Sequence, residues 1–141
     1  MISASYSKTP LLKKLGYKAG QKALLIGAQA GPEELLAFED FGSVAVLAKP
    51  GRLPKGPFDL VHIFEKDIAA LEKALAAAVE KLEPAGMIWV SWPKKASKVP
   101  TTVTEDVIRS AAFKAGLVDV KVCAVDEVWS GLKLVIPVAR R

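Results

Sequence analysis

The sequence predicts an α/β fold: a three-layer sandwich built on a mostly parallel sheet of about six strands, with an antiparallel hairpin at the C-terminus. Three observations lead there. Short apolar runs of strand length alternate with segments of helical period, which is the pattern of crossover-connected parallel strands. The run Leu24-Leu25-Ile26 passes straight into a glycine loop, Gly27-Ala28-Gln29-Ala30-Gly31, and then a helix start at Pro32-Glu33-Glu34. The last two apolar runs follow one another with no helix between them.

The elements follow in order. Pro10 suits a first helical position and Thr9 can cap it, so Leu11–Leu15 reads as a short helix stopped by Gly16. Lys22–Ile26 is nearly all apolar, as a strand covered on both faces would be. Pro32–Phe38 is a helix with Glu33 and Glu34 favourably placed in its first turn. Ser43–Ala48 is the second strand. The Pro- and Gly-rich stretch 49–57 is a loop. Phe58–Phe64 is the third strand. Lys66–Leu82 carries Ile68, Leu71, Leu75, Val79 and Leu82 at three- and four-residue spacing, one apolar stripe of a helix. Asp67 stands where it would stabilise the dipole of that helix. Glu83-Pro84-Ala85-Gly86 ends it, and Met87–Trp92 is the fourth strand. Pro93–Val103 is a basic loop. Thr102 and Glu105 fit a capping box for a helix over Thr104–Ala115, closed by Gly116. Leu117–Val125 and Leu132–Val138 form the closing hairpin, with a turn near Ser130-Gly131.

Composition sets limits. The chain has 141 residues, 51% of them hydrophobic and 25% charged. That suits one domain over 1–141, with residues 1–19 as an N-terminal arm and short helix. A lone cysteine, Cys123, excludes an intrachain disulfide and reads as a small buried hydrophobe on a strand. With His62 as the only histidine, neither a zinc site nor a Cys–His nucleophile is expected. No catalytic set and no metal set stands out. No run approaches a membrane span, and the N-terminus has no signal-peptide core, so the expectation is a cytoplasmic protein without membrane association. The net charge of +5 helps anionic partners without defining one.

Two resemblances attach to particular residues. The glycine loop, the turn Leu82-Glu83-Pro84-Ala85-Gly86-Met87-Ile88 and the terminal hairpin resemble a trimmed class I, S-adenosylmethionine-dependent methyltransferase, which implies a Rossmann-like sheet. Tyr6-Ser7-Lys8-Thr9-Pro10-Leu11, Ser91-Trp92-Pro93-Lys94-Lys95-Ala96-Ser97 and the segment from Lys121 to Leu132 resemble a family of small bacterial proteins of unknown function. The second likeness implies a bacterial, intracellular protein and the same fold.

The methyltransferase likeness departs where the cofactor would be held. That class has an acid two places before the first loop glycine; here it is Leu25. It has a glycine at the loop centre; here Gln29 stands there. It has an acid closing the second strand for the ribose hydroxyls; here Lys49 follows, and a lysine cannot accept. These departures argue against S-adenosylmethionine as the cofactor, and the full dinucleotide fingerprint is absent too.

Any ligand site in such a sheet lies beyond the carboxyl ends of the strands. The candidate rim is Gly27, Gln29, Gly31, Lys49, Ser91, Trp92, Lys94 and Lys95. Loop amides could meet an anion, the lysines would add charge, and Trp92 would give a stacking surface. The reading is a non-catalytic domain that takes a small anionic ligand or a protein partner. The alternatives are a methyltransferase with an atypical cofactor site, and a nucleic-acid module using Trp92, Lys94, Lys95 and Lys98. Asp126-Glu127-Val128-Trp129-Ser130-Gly131 is either a contact for a partner or second copy, or a turn whose Trp129 folds back onto the sheet.

Overall fold

A computed structural model describes residues 10–141. The elements in chain order are α1 (Leu11–Lys14), β1 (Lys22–Ile26), a 3₁₀ turn (Ala28–Ala30), α2 (Glu33–Ala37), β2 (Ser43–Leu47), β3 (Phe58–Phe64), α3 (Ile68–Val79), β4 (Leu82–Pro93), a 3₁₀ turn (Lys95–Ser97), α4 (Glu105–Lys114), β5 (Val118–Ala124), β6 (Trp129–Val135) and a last 3₁₀ turn (Val138–Arg140). The expected Thr9 cap lies outside the described residues.

The six strands form one sheet in the order β2-β1-β3-β4-β6-β5. β2, β1, β3 and β4 run parallel, while β6 is antiparallel to both β4 and β5. Alternation sorts side chains to two faces. Leu24, Ile26, Val61, Ile63, Ile88, Val90, Leu132 and Leu134 enter a core closed by Leu71 and Leu75 of α3 and Ile108 and Ala112 of α4. Ala23, Leu25, Leu60, Phe64 and Trp89 enter the other, closed by Leu15, Tyr17, Ala28 and Leu35. Helices on both faces give the three layers.

Three boundaries differ from expectation, each for a physical reason. Leu82 leaves the helix stripe and begins β4 instead, pairing with Phe58 across a register shift that absorbs Glu83 to Gly86. Ser130-Gly131 is not the hairpin turn but part of β6. The turn is 125–128, where Asp126 Oδ1 accepts from the amides of Val128 (2.9 Å) and Trp129 (2.7 Å). Gly131 is glycine because a Cβ would press on Trp89, Val125 and Ser91 at 3.2–3.4 Å. Thr102 does not cap α4. Its hydroxyl accepts from Ile68 N at 2.8 Å, tying the loop to the start of α3, and Thr104 caps α4 through Val107 N. Asp67 is the N-cap of α3, accepting from Ala70 N at 2.9 Å.

Candidate functional site

The carboxyl end of β1 is built by a glycine that no other residue can replace without strain. Gly27 has φ +74, and a Cβ there would lie 2.8 Å from the Phe64 carbonyl oxygen. The loop then folds on itself. Gly27 N donates to Leu47 O, Ala30 N to Gly27 O, and Gly31 N to Ala28 O, at 2.8, 3.1 and 3.0 Å. Three loop amides are therefore committed to main-chain acceptors. α2 behind it is only five residues long.

Aromatic rings seal the space beneath this loop. A Cβ on Gly31 would lie 2.6 Å from the Phe64 ring. Phe64 and Trp129 meet edge to face with centroids 5.1 Å apart. The Trp129 indole N–H donates to Ala30 O at 3.0 Å. Trp129 is thus buried against the glycine loop and folds back onto the sheet.

What stays open lies beside this seal. A cavity of about 300 Å³ is lined by Gly27, Ala30, Lys49, Phe64, Glu65 and Trp129 among others. Through Lys49, Pro50 and Glu65 it adjoins a groove of about 620 Å³ that runs along α3 past Asp67, Ala70 and Lys73. The two carboxylates here are already engaged. Glu65 Oε1 accepts from Lys66 N (2.9 Å) and Asp67 N (3.1 Å), and Asp67 caps α3. Every ion pair among the described residues runs through Arg109, so Lys49 and Lys73 are in none.

The expected rim is divided. Gly27 and Lys49 border the groove just described. Gln29 is exposed on the loop, and Gly31 packs on Phe64. Trp92 and Lys95 line a separate hollow of about 700 Å³ with Lys98, Thr104, Glu105 and Arg109. Trp92 is buried in the α3–α4 core, so its ring is not a free platform. Lys94 is half-buried and its amide donates to Val128 O at 2.7 Å. Ser91 is fully buried and faces inward.

Ser91 belongs instead to a buried polar chain that sequence reasoning missed. His62 Nε2 lies 2.7 Å from Ser91 Oγ, and His62 Nδ1 lies 2.7 Å from the Tyr17 hydroxyl. The imidazole stacks on Phe64, centroids 4.4 Å apart. Burial holds the His62 pKa down at about 3, so the ring is neutral, with one nitrogen donating and the other accepting. Burial also pushes the Tyr17 phenol upward. The order serine, histidine, tyrosine suits proton transfer, but nothing reaches it from solvent: His62 and Ser91 are both 0% exposed. The chain ties β3 to β4 and to the lead-in of β1. Only the period of β3 hinted at it, since His62 alternates with Val61 and Ile63 and must face the second core.

Cys123 is three strands from His62, across from Gly131, with its thiol donating to Ala124 O at 3.3 Å. Among the described residues no three His, Cys, Asp or Glu gather as a metal site, and no helix is long and apolar enough to cross a membrane.

Solved structures share this architecture. An S-adenosylmethionine-dependent methyltransferase from Aquifex aeolicus aligns with TM-score 0.63 at 18% identity, covering 89% of this chain and 87% of that one. The N-methyltransferase NodS of Bradyrhizobium japonicum aligns with TM-score 0.59 at 18% identity, covering 90% and 92%. Mitomycin 7-O-methyltransferase aligns with TM-score 0.64 at 12% identity; the match covers 83% of this chain but 49% of that enzyme, about half its length. At such identities the likeness is one of fold: a Rossmann-like, methyltransferase-like α/β sheet. No curated protein matches the sequence. Residues 58–138, more than half of the chain, match the family described as protein of unknown function (DUF3052). They span β3 to the last turn, including His62, Ser91 and Trp129, and the chain belongs to that family.

Proposed function

We propose that this chain is a non-catalytic Rossmann-like domain that binds a small anionic ligand in the groove at the carboxyl ends of its first parallel strands. One observation carries the reading. In that groove Asp67 caps α3 and Glu65 accepts from the Lys66 and Asp67 amides, while Lys49 and Lys73 are in no ion pair. The groove therefore presents two ammonium groups free of ion pairs, beside an apolar wall of Pro50, Ala70 and Ala74, with its two carboxylates held by backbone amides. His62, Ser91 and Cys123 are all buried away from it.

Calorimetric titration with adenosine monophosphate and with citrate tests the site. Lys49→Glu should weaken binding by roughly tenfold, the loss of one charge-assisted contact. The double variant Lys94→Glu, Lys95→Glu, outside the groove, should bind as the parent does. Equal and weak binding by all three proteins would sink the proposal.

The fold neighbours favour one second reading, a methyltransferase with an atypical cofactor site. Against it stand Leu25, Gln29 and Lys49, and the Phe64–Trp129 seal under the loop. Titration with S-adenosylmethionine separates the two. Saturable heat and a raised Tm with that ligand alone would replace the first reading with the second.

A further inference from the structure

Lys133 stands on β6, an inner strand flanked by β4 and β5. It pairs across the sheet with Trp89 on one side and with Lys121 on the other. Its neighbours Leu132 and Leu134 enter the α3–α4 core, so Lys133 projects from the opposite face, the face of Trp89. The Trp89 indole donates to Leu15 O at 2.6 Å, and Gly16 lies against Met87, which brings the segment after α1 onto this face. Lys18 follows two residues after Gly16, and its charge acts on Lys133. Partial burial, and then the charges of Lys121 and Lys18, hold the Lys133 ammonium below the ordinary lysine range.

Like charges directly opposite each other on a ladder destabilise it. Lys121 has a ready use, because β5 is an edge and a lysine keeps an edge from pairing with another chain. Lys133 has no such use, since its strand is already paired on both sides. Nor does a carboxylate neutralise the group: the ion pairs among the described residues all involve Arg109. Its partner Asp119 is opposite Leu134 and so belongs to the other face.

We propose that Lys18, Lys121 and Lys133 form an anion-binding site that takes the phosphoryl group of a small ligand. Ammonium groups are compact point charges with several donors each, and a phosphoryl group supplies the matching acceptor oxygens. Three charges suit a compact anion better than a nucleic-acid strand, which needs a longer basic track. A second copy of the chain would bring the same positive charges against them. Lys18 leads into the amino end of β1, whereas the groove described above lies at the carboxyl ends, so this site does not rest on that reading.

Calorimetry with inorganic pyrophosphate at low salt tests it on the full chain. The parent protein should bind saturably. Lys133→Met and Lys121→Met should each weaken binding roughly tenfold, while Lys49→Glu leaves it unchanged. A Tm for Lys133→Met no lower than the parent's shows that its fold is intact, and Lys121→Met, on an exposed position, gives a second reading free of that concern. Absence of binding by the parent, or binding by both methionine variants as tight as the parent's, overturns the proposal. So does a single-stranded oligonucleotide that binds and is not displaced by pyrophosphate.

Discussion

At the scale of single residues, the sheet is held by a few polar atoms with no solvent to fall back on. His62 is neutral in the fold because burial lowers its pKa from 6.5 to about 3. The unfolded chain takes up a proton below 6.5, while the folded chain does not until near 3. Stability from this group is therefore complete above pH 6.5 and falls as the pH drops toward 3, by up to about 1.4 kcal/mol per pH unit. Denaturant melts of the parent and of His62→Gln between pH 7 and about 5 should show the slope in the parent alone; parallel curves would remove His62 as its source. Tyr17→Phe strips one imidazole nitrogen of its partner and should cost about 1–3 kcal/mol at pH 7. Gly27 belongs to the same scale. Gly27→Ala meets both a positive φ and the Phe64 carbonyl, so a clear loss of Tm is expected. Leu24–Gly31 was legible as strand and turn because glycine spacing is a local signal. The Tyr17–His62–Ser91 chain was not, because its members are 45 and 29 residues apart and meet only across strands.

At the scale of elements, capping decides where helices start, and local sequence can mislead about which residue does it. Thr102 and Glu105 have capping-box spacing, yet Thr104 caps α4 while Thr102 reaches back to the first turn of α3. A hydroxyl takes whichever orphan amide is nearest in space, and the loop after β4 runs past the start of α3. Thr101 makes the same connection, donating to Lys66 O at 2.7 Å. Asp67→Ala and Thr104→Ala should each cost about 1 kcal/mol. Thr102→Ala should lower the stability of α3 rather than α4, readable by amide exchange within each helix; faster exchange confined to α4 would contradict that assignment. The hairpin shows the reverse case. Ser130-Gly131 is a turn signal in sequence, but Gly131 is needed inside β6 to clear Trp89 and Ser91. Asp126 makes the turn instead, using one oxygen for two amides.

At the scale of the whole molecule, cover is uneven. β3 and β4 are central and almost wholly buried, whereas β5 is an edge strand with Val118, Val120 and Val122 exposed. Amide exchange should therefore be slowest in β3 and β4 and fastest among the strands in β5 or β2. Protection of β5 equal to that of β3 would show that something covers the edge in solution. The alternation of apolar runs and helical stripes was enough to determine the α/β class, the mostly parallel sheet and its antiparallel end, because period and length are properties of neighbouring residues. Set against the methyltransferase resemblance, the sequence also has Leu25 and Lys49 where that class carries acids and Gln29 where it carries a glycine. Only the tertiary structure decided how the candidate rim divides. It buried Ser91 and Trp92 on opposite faces, filled the space under the glycine loop with Phe64 and Trp129, and set Lys121 of the edge strand directly across from Lys133. The reason is physical: which side chains meet across a sheet depends on strand order and register, and these arise from packing the whole chain at once.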